Sequence, residues 1–93
     1  MLRDMNDKPI KDLVEAFLSL ETYNECCDFL EDLCTVNEIR SMAQRLEVAR
    51  LLKDNAVYTE IAEKTGASTA TISRVNRALS YGADGYKNVL ERN

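Results

Sequence analysis

The ten residues from Ser68 to Arg77, STATISRVNR, offer hydroxyls, an alanine methyl and two guanidinium groups. No Asp or Glu interrupts them, in a chain with 16 acids among 93 residues. At helical spacing Ala70, Ser73, Arg74 and Arg77 share one face, with Thr69 and Thr71 at its sides and Ser68 at its start. Such groups hydrogen-bond phosphate oxygens, contact the thymine methyl and bridge the O6 and N7 of guanine. Thr69, Thr71, Ile72 and Val75 are β-branched, which is poor composition for a helix. Local propensity is often set aside where a surface has a job.

That face has to be held by something. Two short helices joined by a tight turn need a small residue where the second crosses the first. They also need a left-handed residue at the turn and an apolar plug in the second helix. Ala62, Gly66 and Ile72 fill those positions, Ile61 and Val75 flank them, and Ser68 stands at the N-cap of the second helix. The spacing predicts a helix-turn-helix over residues 57–79, with Ile72, Val75 and Leu79 turned inward and the polar face turned toward double-stranded DNA. Thr59 and Lys64, on the first helix of the pair, are available to clamp phosphate or simply to be solvated. The rival reading is a structural corner in a protein-interaction module.

The composition excludes several other chemistries. There is no histidine, so Ser–His and Cys–His nucleophile systems and His metal ligands are absent. No glycine-rich phosphate loop occurs, and no enzyme activity, cofactor or metal is expected. Cys26, Cys27 and Cys34 have neither zinc spacing nor a fourth ligand, and their odd number fits poorly with a disulfide framework. They read as small apolar residues of a helical core. The net charge of −4 is unevenly spread. Residues 1–36 carry three basic and nine acidic side chains, whereas residues 37–77 carry seven basic and five acidic. The split removes the objection that an acidic chain avoids nucleic acid. No apolar run reaches the ~18 residues of a membrane span, and MLRDMNDKP lacks the apolar core of a secretory signal, so a cytoplasmic location is expected.

The rest of the chain reads as helix after helix. Pro9 opens the first, and Ile10, Leu13, Val14, Phe17, Leu18 and Leu20 make its apolar arc. Thr22 and Glu25 form a capping box for the second, and Thr35 and Glu38 form another for the third, which runs to about Asn55. The second half of that third helix is apolar on nearly every side, as expected of a central helix. Strand-type alternation is absent between residues 9 and 80. The expectation is an all-α single domain over 1–93, with a helical core at 9–54, the helix-turn-helix at 57–79 and a tail at 80–93. Residues 86–93 form one frayed turn or stay mobile. A monomer of this size buries only about 60–65% of its unfolded surface, so the core is either economical or completed by a second subunit.

TVNEIRSMAQRLEVARLL followed by YTEIAEKTGASTATISRVNRALSYG resembles the Trp repressor superfamily, and within it the YerC/YecD-like branch of bacterial regulators. The resemblance covers about residues 10–86, and its most specific piece is GASTATISRVNR. It implies an intertwined homodimer binding a two-fold operator as a repressor-like regulator, with the second motif helix in the major groove. In tryptophan-responsive members two arginines hold the indole and a recognition-helix serine helps. Arg74 matches the second arginine, but Gln44 stands at the first and Ala78 at the serine. A tryptophan co-repressor therefore does not carry over, and the effector is left open.

The cysteine reading is tested by heat. Chelator and reductant should each leave the thermal melt unchanged, because a zinc site or disulfide holding the fold would be lost with one or the other. A midpoint lowered by either agent would overturn it.

Overall fold

The helix starts at Lys8, Tyr23 and Thr69 are set by side chains that satisfy the N–H groups a first turn leaves free. Asp7 accepts from the Ile10 N–H at 3.1 Å, Thr22 from the Glu25 N–H at 3.1 Å and Ser68 from the Thr71 N–H at 3.1 Å. The computed structural model describes residues 1–93. After a 3-10 turn at Leu2–Asp4 come α1 (Lys8–Leu18), α2 (Tyr23–Leu33), α3 (Val36–Lys53), α4 (Tyr58–Thr65), α5 (Thr69–Tyr81) and α6 (Gly85–Arg92). The fold is all-helical, as expected. None of the helices is long and apolar enough to cross a membrane.

By its contacts the chain divides into Met1–Val36 and Asn37–Asn93. The sequence places the change of role after residue 54, at the end of α3. The second half of α3 packs in one cluster with the helix-turn-helix. Val48 and Ala49 are wholly buried, in one cluster with Ile61, Ala67, Ile72, Val75 and Leu90. Leu46, Leu51, Leu52, Ala56, Ala62, Leu79 and Tyr86 pack around it.

Helix α3 stops by a backbone device. Asn55 takes a left-handed φ of 65°, its N–H bonds the Leu52 carbonyl, and the Ala56 N–H bonds the Leu51 carbonyl, both at 3.0 Å. This paired closure satisfies two orphan carbonyls and turns the chain toward α4.

Within Met1–Val36 the two helices meet through Phe17 and Phe29, whose rings are 5.2 Å apart at 79°, an edge-to-face contact. Neither α1 nor α2 contains a buried residue. The core assignment of the cysteines therefore changes: Cys26 and Cys27 are exposed and Cys34 is half-buried. Periodicity marks the apolar face, but Leu13, Val14, Phe17, Leu18 and Leu33 on it remain 40–79% exposed. The Thr22 box is also modified, since the Glu25 carboxylate accepts from the Glu21 N–H at 3.0 Å, one residue before the cap.

The tail is not a frayed turn. Residues Gly85–Arg92 form a helix that rests on α5 and buries Leu90. The stop before it differs from a left-handed glycine cap. Gly82 is extended, and glycine is needed there because a Cβ would run into the Ala78 carbonyl oxygen. The left-handed residue is Asp84, with φ 65°.

Gly66 is the position where backbone conformation alone dictates the residue. Its φ is 73°, and a Cβ there would meet nothing within 4 Å. Gly66→Ala should therefore cost about 1–2 kcal/mol through the left-handed conformation alone. That is a fall of several degrees in the melting midpoint of a chain this size, measurable by circular dichroism. An unchanged midpoint would show that the turn relaxes to another conformation.

Candidate nucleic-acid interface

The corner is built from its apolar inside outward. Ile61 on α4 and Ile72 on α5 are fully buried, and Val75, one turn further along α5, is 1% exposed. Ala62 is half-buried where the helices approach, and Gly66 closes α4 with its N–H on the Ala62 carbonyl at 2.9 Å. Of the residues expected to shape the joint, Ile61, Ile72 and Val75 are buried, Ala62 is half-buried and Gly66 is the left-handed residue between α4 and α5.

The residues expected to read DNA divide into an open set and a partly engaged set. Ser68, Thr69, Ala70, Arg74 and Arg77 are exposed on α5 and its cap. Neither guanidinium takes part in an ion pair. Thr71 and Ser73 are half-buried. The Ser68 hydroxyl donates to Thr71 Oγ1 at 3.1 Å while accepting the Thr71 N–H, so both hydroxyls already work inside the cap.

On α4, Thr59 is exposed, whereas Lys64 is paired with Glu60 at 2.9 Å. The hydrogen bond and charge of Glu60 hold the Lys64 ammonium above its ordinary pKa. The group stays cationic, but a phosphate would have to share it with a carboxylate. The open positive charge of the corner therefore sits on Arg74 and Arg77.

Four polar contacts around this corner escaped sequence reasoning. Gln44 on α3 donates its amide to the Thr65 carbonyl at 3.1 Å. The Thr65 hydroxyl donates to the Ile61 carbonyl at 2.8 Å and accepts the Ala67 N–H at 3.1 Å. Asn76 on α5 donates to the Tyr58 hydroxyl of α4 at 3.2 Å. The only signal for Gln44 was that an amide stands where the resemblance expects an arginine.

No group of three His, Cys, Asp or Glu side chains comes together. A hollow of about 440 Å³ is lined by Leu46, Ala78, Ala83, Gly85, Tyr86 and Val89. Apart from backbone, its only polar group is the Tyr86 phenol, so it has no charge to match an anionic or cationic ligand.

Comparison with known proteins agrees with this geometry. Residues 8–93 match the family described as Trp repressor protein. The uncharacterized protein YerC of Bacillus subtilis is 52% identical over 88 residues, which cover 95% of this chain and 85% of that one. The crystal structure of a TrpR-like protein from Eubacterium eligens superposes with a TM-score of 0.90 at 54% identity, covering 97% of this chain and 93% of the other. A Trp repressor candidate from Staphylococcus aureus gives the same TM-score at 46% identity, covering 99% and 92%. With a left-handed glycine corner, a buried isoleucine plug and a match over nearly its whole length, this chain belongs to the Trp repressor protein family.

Proposed function

We propose that this chain is a sequence-specific transcriptional regulator of repressor type that binds a two-fold DNA operator as a homodimer. Its family is one of DNA-binding regulators. The observation that carries the reading is the acid-free outer face of α5, open at Ser68, Thr69, Ala70, Arg74 and Arg77 above a packed joint. In a helix-turn-helix that face enters the major groove, where arginines bridge guanine edges or meet phosphate. The relatives named above come from bacteria, whose DNA lies in the cytoplasm, and this sets the proposed compartment. Tryptophan is not part of the proposal, because Gln44 and Ala78 occupy two of the positions that would hold it.

The homodimer is supported by uncovered apolar surface. Leu13, Val14, Phe17 and Leu18 on α1 and Leu33 on α2 are 40–79% exposed. Short amphipathic helices gain most of their stability from burying such a face. A second copy covers it in the proposed assembly, and two-fold symmetry then matches the two half-sites of an operator. Sedimentation should show a dimer at micromolar concentration, and a stable, folded monomer there would overturn it.

Salt titrations of DNA binding separate the roles of the two arginines. Replacing a base-reading arginine by alanine should cost about 1–3 kcal/mol and relax preference at one base position per half-site. Replacing a phosphate contact should weaken all sequences alike and lower the salt slope by about one. Arg74→Ala and Arg77→Ala should each do one or the other, while Glu31→Ala on α2 changes neither quantity. If both arginine variants keep full affinity, the corner is structural and the acidic helices become the better interaction surface.

A further inference from the structure

A helix ends in carbonyls that have no partner within it, and next to a packed joint those groups need donors from the protein. At the end of α4 there are three donors. The Gly66 N–H takes the Ala62 carbonyl at 2.9 Å, and the Thr65 hydroxyl takes the Ile61 carbonyl at 2.8 Å. Both belong to the turn itself. The third is the Gln44 amide on the Thr65 carbonyl at 3.1 Å, reaching a part-buried site from α3, 21 residues upstream.

Thr65 passes this constraint on. Its hydroxyl accepts the Ala67 N–H at 3.1 Å, and Ala67 is 5% exposed in the core. The next residue, Ser68, caps α5. Hydrogen bonds at Thr65, followed by the two-residue backbone link through Ala67 to Ser68, thus connect the middle of α3 to the first turn of α5, which carries Ser68, Thr69, Ala70 and Thr71. In a helix-turn-helix the N-terminal residues of the second helix meet the base edges. The Tyr58–Asn76 contact is exposed and joins only α4 to α5, so it cannot set either helix against α3.

We infer that Gln44 is a positioning residue for DNA recognition: its amide fixes the reading end of α5 against α3. The inference rests on the DNA-binding reading above. It also explains the residue type. An amide donates to the carbonyl without placing a fixed charge there, and an arginine or lysine would also donate. A glutamate of nearly the same shape would set an acceptor, negatively charged, against the negative end of the α4 dipole.

The test uses the full chain and a duplex selected by the wild-type protein from a random pool. Gln44→Glu should still melt cooperatively. At 25 °C it should bind that duplex about tenfold more weakly, with a shallower salt slope, because a displaced first turn loses contacts. Gln44→Arg should return affinity to within about twofold, as the donor is restored. Tyr58→Phe should leave affinity and slope at wild-type values. Thr69→Ala should cost less in the Gln44→Glu background than in wild type, while Arg77→Ala costs the same in both. Gln44→Ala, which removes the donor without adding charge, serves if the glutamate variant does not fold, and should shift affinity in the same direction. Wild-type affinity and slope in the donor-less variants would overturn the positioning role. So would a loss that only follows the folded fraction, or a failure of arginine to rescue. If the wild-type protein selects no duplex, the DNA-binding reading itself fails, and that outcome is distinct from the others.

Discussion

The outer face of α5 is free to carry hydroxyls and guanidiniums because its inner face is completely committed. Ile72 and Val75 lie at 0–1% exposure against Val48, Ala49, Ile61, Ala67 and Leu90. Burying an aliphatic side chain of this size contributes about 1.5–3 kcal/mol. Each weak helix former in the same stretch costs up to about 0.7 kcal/mol relative to alanine. Two buried aliphatics therefore outweigh Thr69, Thr71, Ile72 and Val75 together, and tertiary packing decides that this segment is a helix. The same burial makes the segment depend on its neighbours. Without Val48 and Ile61 the plug has nothing to enter, and the polar face has no fixed direction.

Legibility in the sequence followed the number of residues able to solve each local problem. The corner was readable because a φ of 73° favours glycine strongly, and because a crossing point and a plug constrain size as well as polarity. The start of α1 was readable for the same kind of reason, since Asp7 and Pro9 suit a first turn and little else. Helix α6 was not, because its helicity is set by Leu90 reaching a core assembled from α3, α4 and α5. The cysteines show a different limit: periodicity says which face is apolar, and only the three-dimensional arrangement says whether that face is covered. Gln44 was visible as an odd residue at its position, but its partner is a backbone carbonyl, which sequence pattern does not mark.

Electrostatics narrow what this surface is suited to. Residues 1–36 carry nine acids against three bases, and the whole chain is at −4. Long-range attraction to a polyanion is correspondingly small, so non-specific DNA affinity gets little help from net charge. Glu60 further offsets Lys64 on α4. Positive potential is thus concentrated on Arg74 and Arg77 rather than spread over the corner. For the proposed DNA complex, this distribution leaves close contacts at α5 to supply most of the binding energy, which favours discrimination between sequences over loose association with any duplex.

Helix α3 is where the apolar and polar constraints meet. Gln44 and Val48 are four residues apart, so they occupy one face of the helix a turn from each other. That face sends Val48 into the core and the Gln44 amide to the end of α4. The two contacts do different physical work. Apolar burial is non-directional, and Ile61 and Ile72 could stay dry over a range of helix rotations. A hydrogen bond weakens steeply as its angle departs from linear, so the Gln44–Thr65 bond selects one rotation from that range. Its position at the edge of a dry cluster lowers the local dielectric and strengthens the selection. Burial brings α4 and α5 onto α3, and one amide fixes the angle at which they stay.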